Sequence, residues 1–275
     1  MPQRELQDNI AAASPCRIAS KQHFSLHIAK MNLPIRLKTD LILDAVFEVR
    51  FSSRMDTSDL LPGFVFPKLN GSGPIQRLPL AEVPAFARKN NPDMRGPLFK
   101  VVFGKHYIAV GDGLLAIGCE TPYSGWASFK EVIEYVCPMI ESIADNVERY
   151  SIKYIDMLPT KTAAESVEKL DVNLTVGGVS LVDQLYQIRV EIKDGDLINI
   201  VQLVGDATAR HANGGERKGA VIDIDTLFKP KEELQYKYFL ETLSERAEQA
   251  HSANKSFFFS CLKKNTVDEL GAEYE

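Results

Sequence analysis

Three short runs, Leu98–Phe103, His106–Val110 and Leu114–Gly118, follow one another with only Gly104-Lys105 and Gly111-Asp112-Gly113 between them. Gaps this short leave no room for a crossover helix, so the runs read as neighbouring antiparallel strands joined by glycine turns. An earlier strand, Ala45–Phe51, alternates cleanly: Phe47, Val49 and Phe51 share one face, and Val46, Glu48 and Arg50 share the other.

The segments around these strands complete a plan. Ser52–Pro97 holds seven of the fourteen prolines, each removing an amide donor, so any regular structure there is short. Ser124 reads as a helix N-cap. Trp126, Phe129, Ile133, Val136, Ile140 and Ile143 then recur at helical spacing to about Asp145, with Pro138 as a kink. A strand follows at Arg149–Met157. After a linker at Thr160–Glu168 come strands at Asp171–Val176 and Asp183–Lys193, the Asp194-Gly195 turn, and a return strand at Leu197–Gly205. Gly-rich Asp206–Gly219 reads as a loop and Ala220–Phe228 as a strand. Helices are expected from Lys231 to about His251 and from Asn254 to Leu262. The expectation is an α+β fold of pseudo-duplicated antiparallel sheets, each half ending in a long helix. The halves are 31–159 and 160–275. Residues 1–30 lack sustained periodicity and are expected to be a disordered leader or an upstream translation artefact, with Met31 as the natural start; the alternative is a short docking helix.

Charge and cysteine usage exclude several classes. Net charge is −5, and residues 31–275 carry 28 bases against 35 acids, which argues against non-specific nucleic-acid binding. Cys16, Cys119, Cys137 and Cys261 are too widely spaced for a zinc ribbon or finger and read as free thiols of a cytoplasmic protein. No apolar run approaches the length needed to span a bilayer.

Several segments together resemble a known family. They are Met31-Asn32-Leu33-Pro34, Leu43–Phe51, Gly125–Phe129, Val147–Asp156, Val221–Asp225 and the stretch from His251 to Phe257-Phe258-Phe259. The chain is similar here to a sporadically distributed family of uncharacterised bacterial proteins of comparable length. The resemblance carries no established activity. It implies Met31 as the start, a bacterial cytoplasmic setting, and the patchy distribution typical of mobile or defence-linked genes.

Candidate sites are few. Glu48 with Arg50, and Arg189 with Glu191, place opposite charges on strand faces. They read either as surface pairs or as the lining of a polar cleft between the halves. Asp223 and Asp225 share a face but lack a third oxygen ligand nearby, so an acidic surface is preferred to a metal site. The segment Gly205–Gly219 concentrates Arg210, His211, Arg217 and Lys218 on an acidic chain, without the spacing of a phosphate-binding loop. His23 and His27 lack the glutamate of a zinc motif, and His106 shows no Ser or Cys nucleophile beside it in sequence. His251 falls near an expected helix end, where a cation is favourable. Trp126 reads as a core anchor. Of three adjacent phenylalanines, 257–259, at least one has to meet another element or a partner.

The expected function is a non-catalytic binding or regulatory protein acting through a macromolecular partner, a protein, linked to bacterial defence or toxin–antitoxin systems. The alternatives are a small-molecule binder with a pocket between sheet and helices, or an unrecognised enzyme. The binding residues expected are Arg210, His211, Arg217, Lys218, Glu48 and Arg50, with no metal and no cofactor. The catalytic residues and the oligomeric state stay open.

Overall fold

The structure, a computed structural model, describes residues 33–70, 72–91, 94–210 and 215–274. The expected leader, residues 1–30, and His211 lie outside these. The first elements are β1 (Arg36–Leu37) and β2 (Ile42–Ser52). The proline-rich segment holds only short pieces: α1 (Thr57–Val65), β3 (Gln76–Arg77) and α2 (Ala85–Lys89). Asp56 caps α1 by accepting from the Ser58 amide. The glycine-linked strands follow as β4 (Pro97–Phe103), β5 (His106–Gly111) and β6 (Leu114–Glu120).

Next comes α3 (Trp126–Val136), whose N-cap is Gly125, not Ser124. Pro138 does not kink a long helix. The α-helix ends at Val136 and tightens into a 3-10 turn at Cys137–Ile140, where the proline's missing amide costs nothing. Then follow β7 (Asn146–Pro159), α4 (Ala163–Lys169), β8 (Thr175–Val176), β9 (Val179–Ser180) and β10 (Gln187–Asp194). The last group is β11 (Leu197–Arg210), β12 (Glu216–Phe228), β13 (Leu234–Gln235), α5 (Tyr236–Glu241), α6 (Leu243–Ser260), α7 (Lys264–Glu269) and β14 (Ala272–Glu273). His251 therefore sits inside one continuous helix, not at the end of one.

The α+β expectation holds; the expectation of one sheet per half does not. Ten strands form a single antiparallel sheet in the order β10-β11-β12-β7-β2-β6-β5-β4-β3, with β13 also paired to β7. The reason is β7, long enough to pair with β2 along one edge and β12 along the other, which fuses the two groups of strands. The expected Asp206–Gly219 loop is another correction. β11 runs to Arg210 and β12 starts at Glu216, so most of it is a β-hairpin. Gly219 serves close packing: a Cβ there would collide with the Leu158 carbonyl of β7.

One face of the sheet is covered. Phe47, Val49 and Phe51 of β2 and Tyr150 and Ile152 of β7 pack under α1, α3, α5 and the first part of α6. Ile222 and Ile224 of β12 pack under α4, α7 and Phe257, Phe258 and Phe259 at the end of α6. All three phenylalanines are buried within the chain, so none needs a partner. The opposite face carries the residues between: Val46, Glu48 and Arg50 on β2, Arg149, Ser151 and Lys153 on β7, Asp223 and Asp225 on β12.

Candidate functional site: a cavity on the covered face

Between the covered face and its helices lies a cavity of about 340 Å³. Gly125 turns the chain at φ +88°, which glycine tolerates, and so delivers Trp126 as the first residue of α3. From α6 the walls are His251, Asn254, Lys255 and Phe258, spaced i, i+3, i+4 and i+7, one face of a helix. The floor is Tyr154 and Asp156, alternate residues of β7. Residues 35–42, running from β1 into β2, close the remaining side.

The aromatic end is tightly ordered. The Trp126 indole stacks on the His251 imidazole with centroids 4.0 Å apart and planes 9° apart. Trp126 Nε1 donates to Glu248 at 2.9 Å, and Lys130 reaches the same carboxylate at 3.2 Å. The Tyr154 hydroxyl lies 3.1 Å from His251 Nδ1 and 2.9 Å from the Tyr123 hydroxyl. Burial pushes the His251 imidazole down to about 4, with Glu248 opposing and Lys255 and Lys130 reinforcing the drop. The ring is therefore neutral near pH 7, a hydrogen-bonding wall and not the helix-end cation the sequence suggested. Trp126 packs against the core cluster and also lines the cavity, so it is more than a core anchor.

The floor carries the unusual group. Asp156 is 5% exposed, and among the described residues no hydrogen bond or ion pair reaches its carboxyl group. Burial first, then the negative charges of Asp40 and Asp223, push its pKa up to about 8. A buried carboxyl without a partner is costly for a fold, and it calls for an explanation.

The residues singled out from sequence lie elsewhere and do not form one site. Glu48 accepts from Arg50 at 2.7 Å and from Arg149 at 2.8 Å on the uncovered face, all three half-buried. Arg50 also donates to the Arg95 carbonyl and lines a separate polar cavity of about 300 Å³ with Arg88, Arg95 and Asp112. Arg189 and Glu191 pair at 3.1 Å on exposed β10. They sit four strand spacings from β2, about 19 Å, so the two charge pairs line no common cleft. Asp223 is held by Lys153 at 2.9 Å and Gln202 at 3.3 Å. Asp225 takes a hydrogen bond from Ser151, its other oxygen is buried without a partner, and burial raises its pKa. Neither aspartate is part of an exposed acidic surface. Arg210 pairs with Glu216 across the hairpin, Lys218 lies 3.7 Å from Asp206, and Arg217 donates to the Asp40 carbonyl. These cations line neither cavity.

His106 has the hydroxyl neighbour that its sequence position hid: its Nε2 lies 3.0 Å from Ser124 Oγ. Burial lowers the pKa of this imidazole, and the ring stacks on Phe129. Among the described residues, no carboxylate pairs with it to complete a triad, and no group of three His, Cys, Asp or Glu is arranged to hold a metal. Cys119, Cys137 and Cys261 are free thiols. No described helix is long and apolar enough to cross a membrane.

Sequence reasoning missed Asp156, Tyr154, Tyr123 and Lys255. A signal existed for the first: Tyr150, Ile152, Tyr154 and Asp156 share the covered face of β7, and the acid breaks an apolar series. Neither a scan of the chain against family models nor a search of curated proteins returns a match.

Proposed function

We propose that this chain is a small-molecule-binding protein whose ligand occupies the cavity between the sheet, α3 and α6. The observation that carries the reading is Asp156, a buried carboxyl with no partner among the described residues, at the floor of a space walled by a stacked Trp126–His251 pair. Ligand sites of this kind are concave, mostly apolar and supplied with few polar groups, and about 300–1,000 Å³ in volume. The order outward from the β2–β7 pair supports a second element of the reading, that the two arms follow one plan. It is β6-β5-β4 on one side, with the two-residue β3 beyond, and β12-β11-β10 on the other, and the cavity lies beside that central pair.

Trp126 is the single tryptophan, so its fluorescence reports on the cavity. A fragment library screened by thermal melting should yield compounds that raise Tm and change Trp126 emission together. A library in which every stabilising compound leaves Trp126 emission untouched would sink the reading.

The other reading, a protein partner, has its support at β10. This strand ends the sheet with its outer edge unpaired among the described residues, beside exposed Leu185 and Val190. The tie to defence systems rests on the sequence resemblance alone. A Val190→Pro variant that keeps its fold but loses a co-purifying protein would favour this reading.

A further inference from the structure

We propose that the cavity takes an organic cation: an ammonium or amidinium group paired with Asp156, on a flat apolar body laid against Trp126 and His251. This deepens the small-molecule reading above and rests on it.

The argument starts from what surrounds the carboxyl group. On its own strand, Tyr154 presents a hydroxyl already engaged with Tyr123 and His251. From β12, Asp223 faces the opposite side of the sheet and is held by Lys153. From the segment before β2 comes Asp40, a second acid lining the cavity. From α6, His251 is neutral, and Asn254 has committed its amide hydrogens to the Ile152 and Ile224 carbonyls and to Thr226. Lys255 donates to the Ile35 carbonyl at 3.3 Å instead of to Asp156. Lys38 lines the segment that closes the cavity, and Arg36 is paired with Glu273.

Among all these groups, the charges that act appreciably on Asp156 are both negative, Asp40 and Asp223. On the cavity side the acids are Asp156 and Asp40, and among the described residues no cation pairs with Asp156, although Lys38 and Lys255 line the walls. A bound ammonium would supply the counter-charge that lets this carboxyl ionise in place. An anionic ligand would meet Asp40, and Asp156 once ionised, as repulsion and would have to sit at the walls by Lys38 and Lys255, away from the floor. The Trp126, Tyr123 and Tyr154 rings add a negative π surface that favours a cation and an aromatic or aliphatic body. The volume suits a one- or two-ring compound.

Because the free carboxyl holds its proton to about pH 8, pairing with a cation has to release that proton. Cation affinity therefore rises as pH is raised towards 8, whereas a ligand accepting a hydrogen bond from the neutral acid binds more weakly over the same range.

The test follows Trp126 emission while adding phenethylamine, benzamidine, phenethyl alcohol or 3-phenylpropionate to the full chain. The two cations should saturate, with affinity at least about tenfold above the alcohol, and tighten as pH rises. Asp156→Asn should abolish the preference for cation over alcohol. A melt of the variant checks its fold, and the comparisons on the unaltered protein stand even if the variant does not fold. Tighter binding of the carboxylate, or cation affinity that falls with pH, overturns the cation assignment while leaving the cavity reading intact. If none of the four compounds changes emission, the assignment also fails, and the fragment screen decides separately whether the cavity binds anything.

Discussion

The two faces of the sheet handle charge in opposite ways. On the uncovered face, Glu48, Arg50, Arg149, Lys153 and Asp223 are half-buried and answer one another within the protein. On the covered face the polar groups are fewer. Asn254 donates its amide hydrogens to the sheet, whereas Asp156, among the described residues, has no partner at the edge of a cavity. A cluster of paired charges has a complete structural explanation, because each ion finds its counter-ion when the strands align. An unpaired buried acid has none. Asp225 on the uncovered face leaves one oxygen unanswered but accepts from Ser151. Asp156 lacks any protein hydrogen bond among the described residues and lines a cavity, which makes the covered face the better place to look for a ligand. The number of charged residues on a surface is thus a poorer guide to function than whether each charge is answered.

The largest effect should come from breaking the covered face itself. Phe47 is fully buried beneath the helices, and Phe47→Ala should cost about 3–5 kcal/mol in denaturant unfolding. A loss below about 1 kcal/mol would mean this face is not the core.

Asp156→Asn should act in the reverse direction. The folded protein keeps the Asp156 proton to about pH 8, while the unfolded chain releases it near the ordinary 3.8. The folded state therefore binds more protons across that window, and Asp156 lowers stability progressively as pH rises through it. The variant should melt close to the unaltered protein at pH 4 and above it at pH 8, by an amount on the order of a few kcal/mol. Equal melting across the whole range would show that Asp156 titrates normally.

On the uncovered face, Glu48→Gln leaves Arg50 and Arg149 without their shared carboxylate. Since all three side chains keep some exposure, the expected loss is about 1–3 kcal/mol, partly offset by water. Adding salt should narrow the difference only slightly, because the network is half-buried. A loss indistinguishable from zero would reduce this network to surface decoration. The smallest effects belong to Arg189→Ala and Arg210→Ala, each below about 0.5 kcal/mol, because both ion pairs are exposed. A larger loss at either position would show that these pairs do more than sit on the surface.

What the sequence determined by itself was local. The alternation in Ala45–Phe51 separates Phe47 from Glu48, and glycine spacing around Gly104 and Gly111–Gly113 specifies the β4-β5-β6 meander, because both depend on residues only a few positions apart. The charge pairs at Glu48 with Arg50 and at Arg189 with Glu191 were legible for the same reason. Glycine misled where its cause was distant. Gly219 looked like loop chemistry, but it is small because β7 runs against it, and β7 is paired there only by the sheet. Tertiary structure alone decided the rest. Trp126 meets Glu248 across 122 positions of chain and Glu48 meets Arg149 across 101, distances over which no periodicity carries information. The candidate site depends on this long-range assembly. Asp156 becomes an unanswered buried acid only when Asp40, Tyr154, Trp126 and α6 close around it, since burial and the absence of a partner are properties of packing, not of any residue's place in the chain.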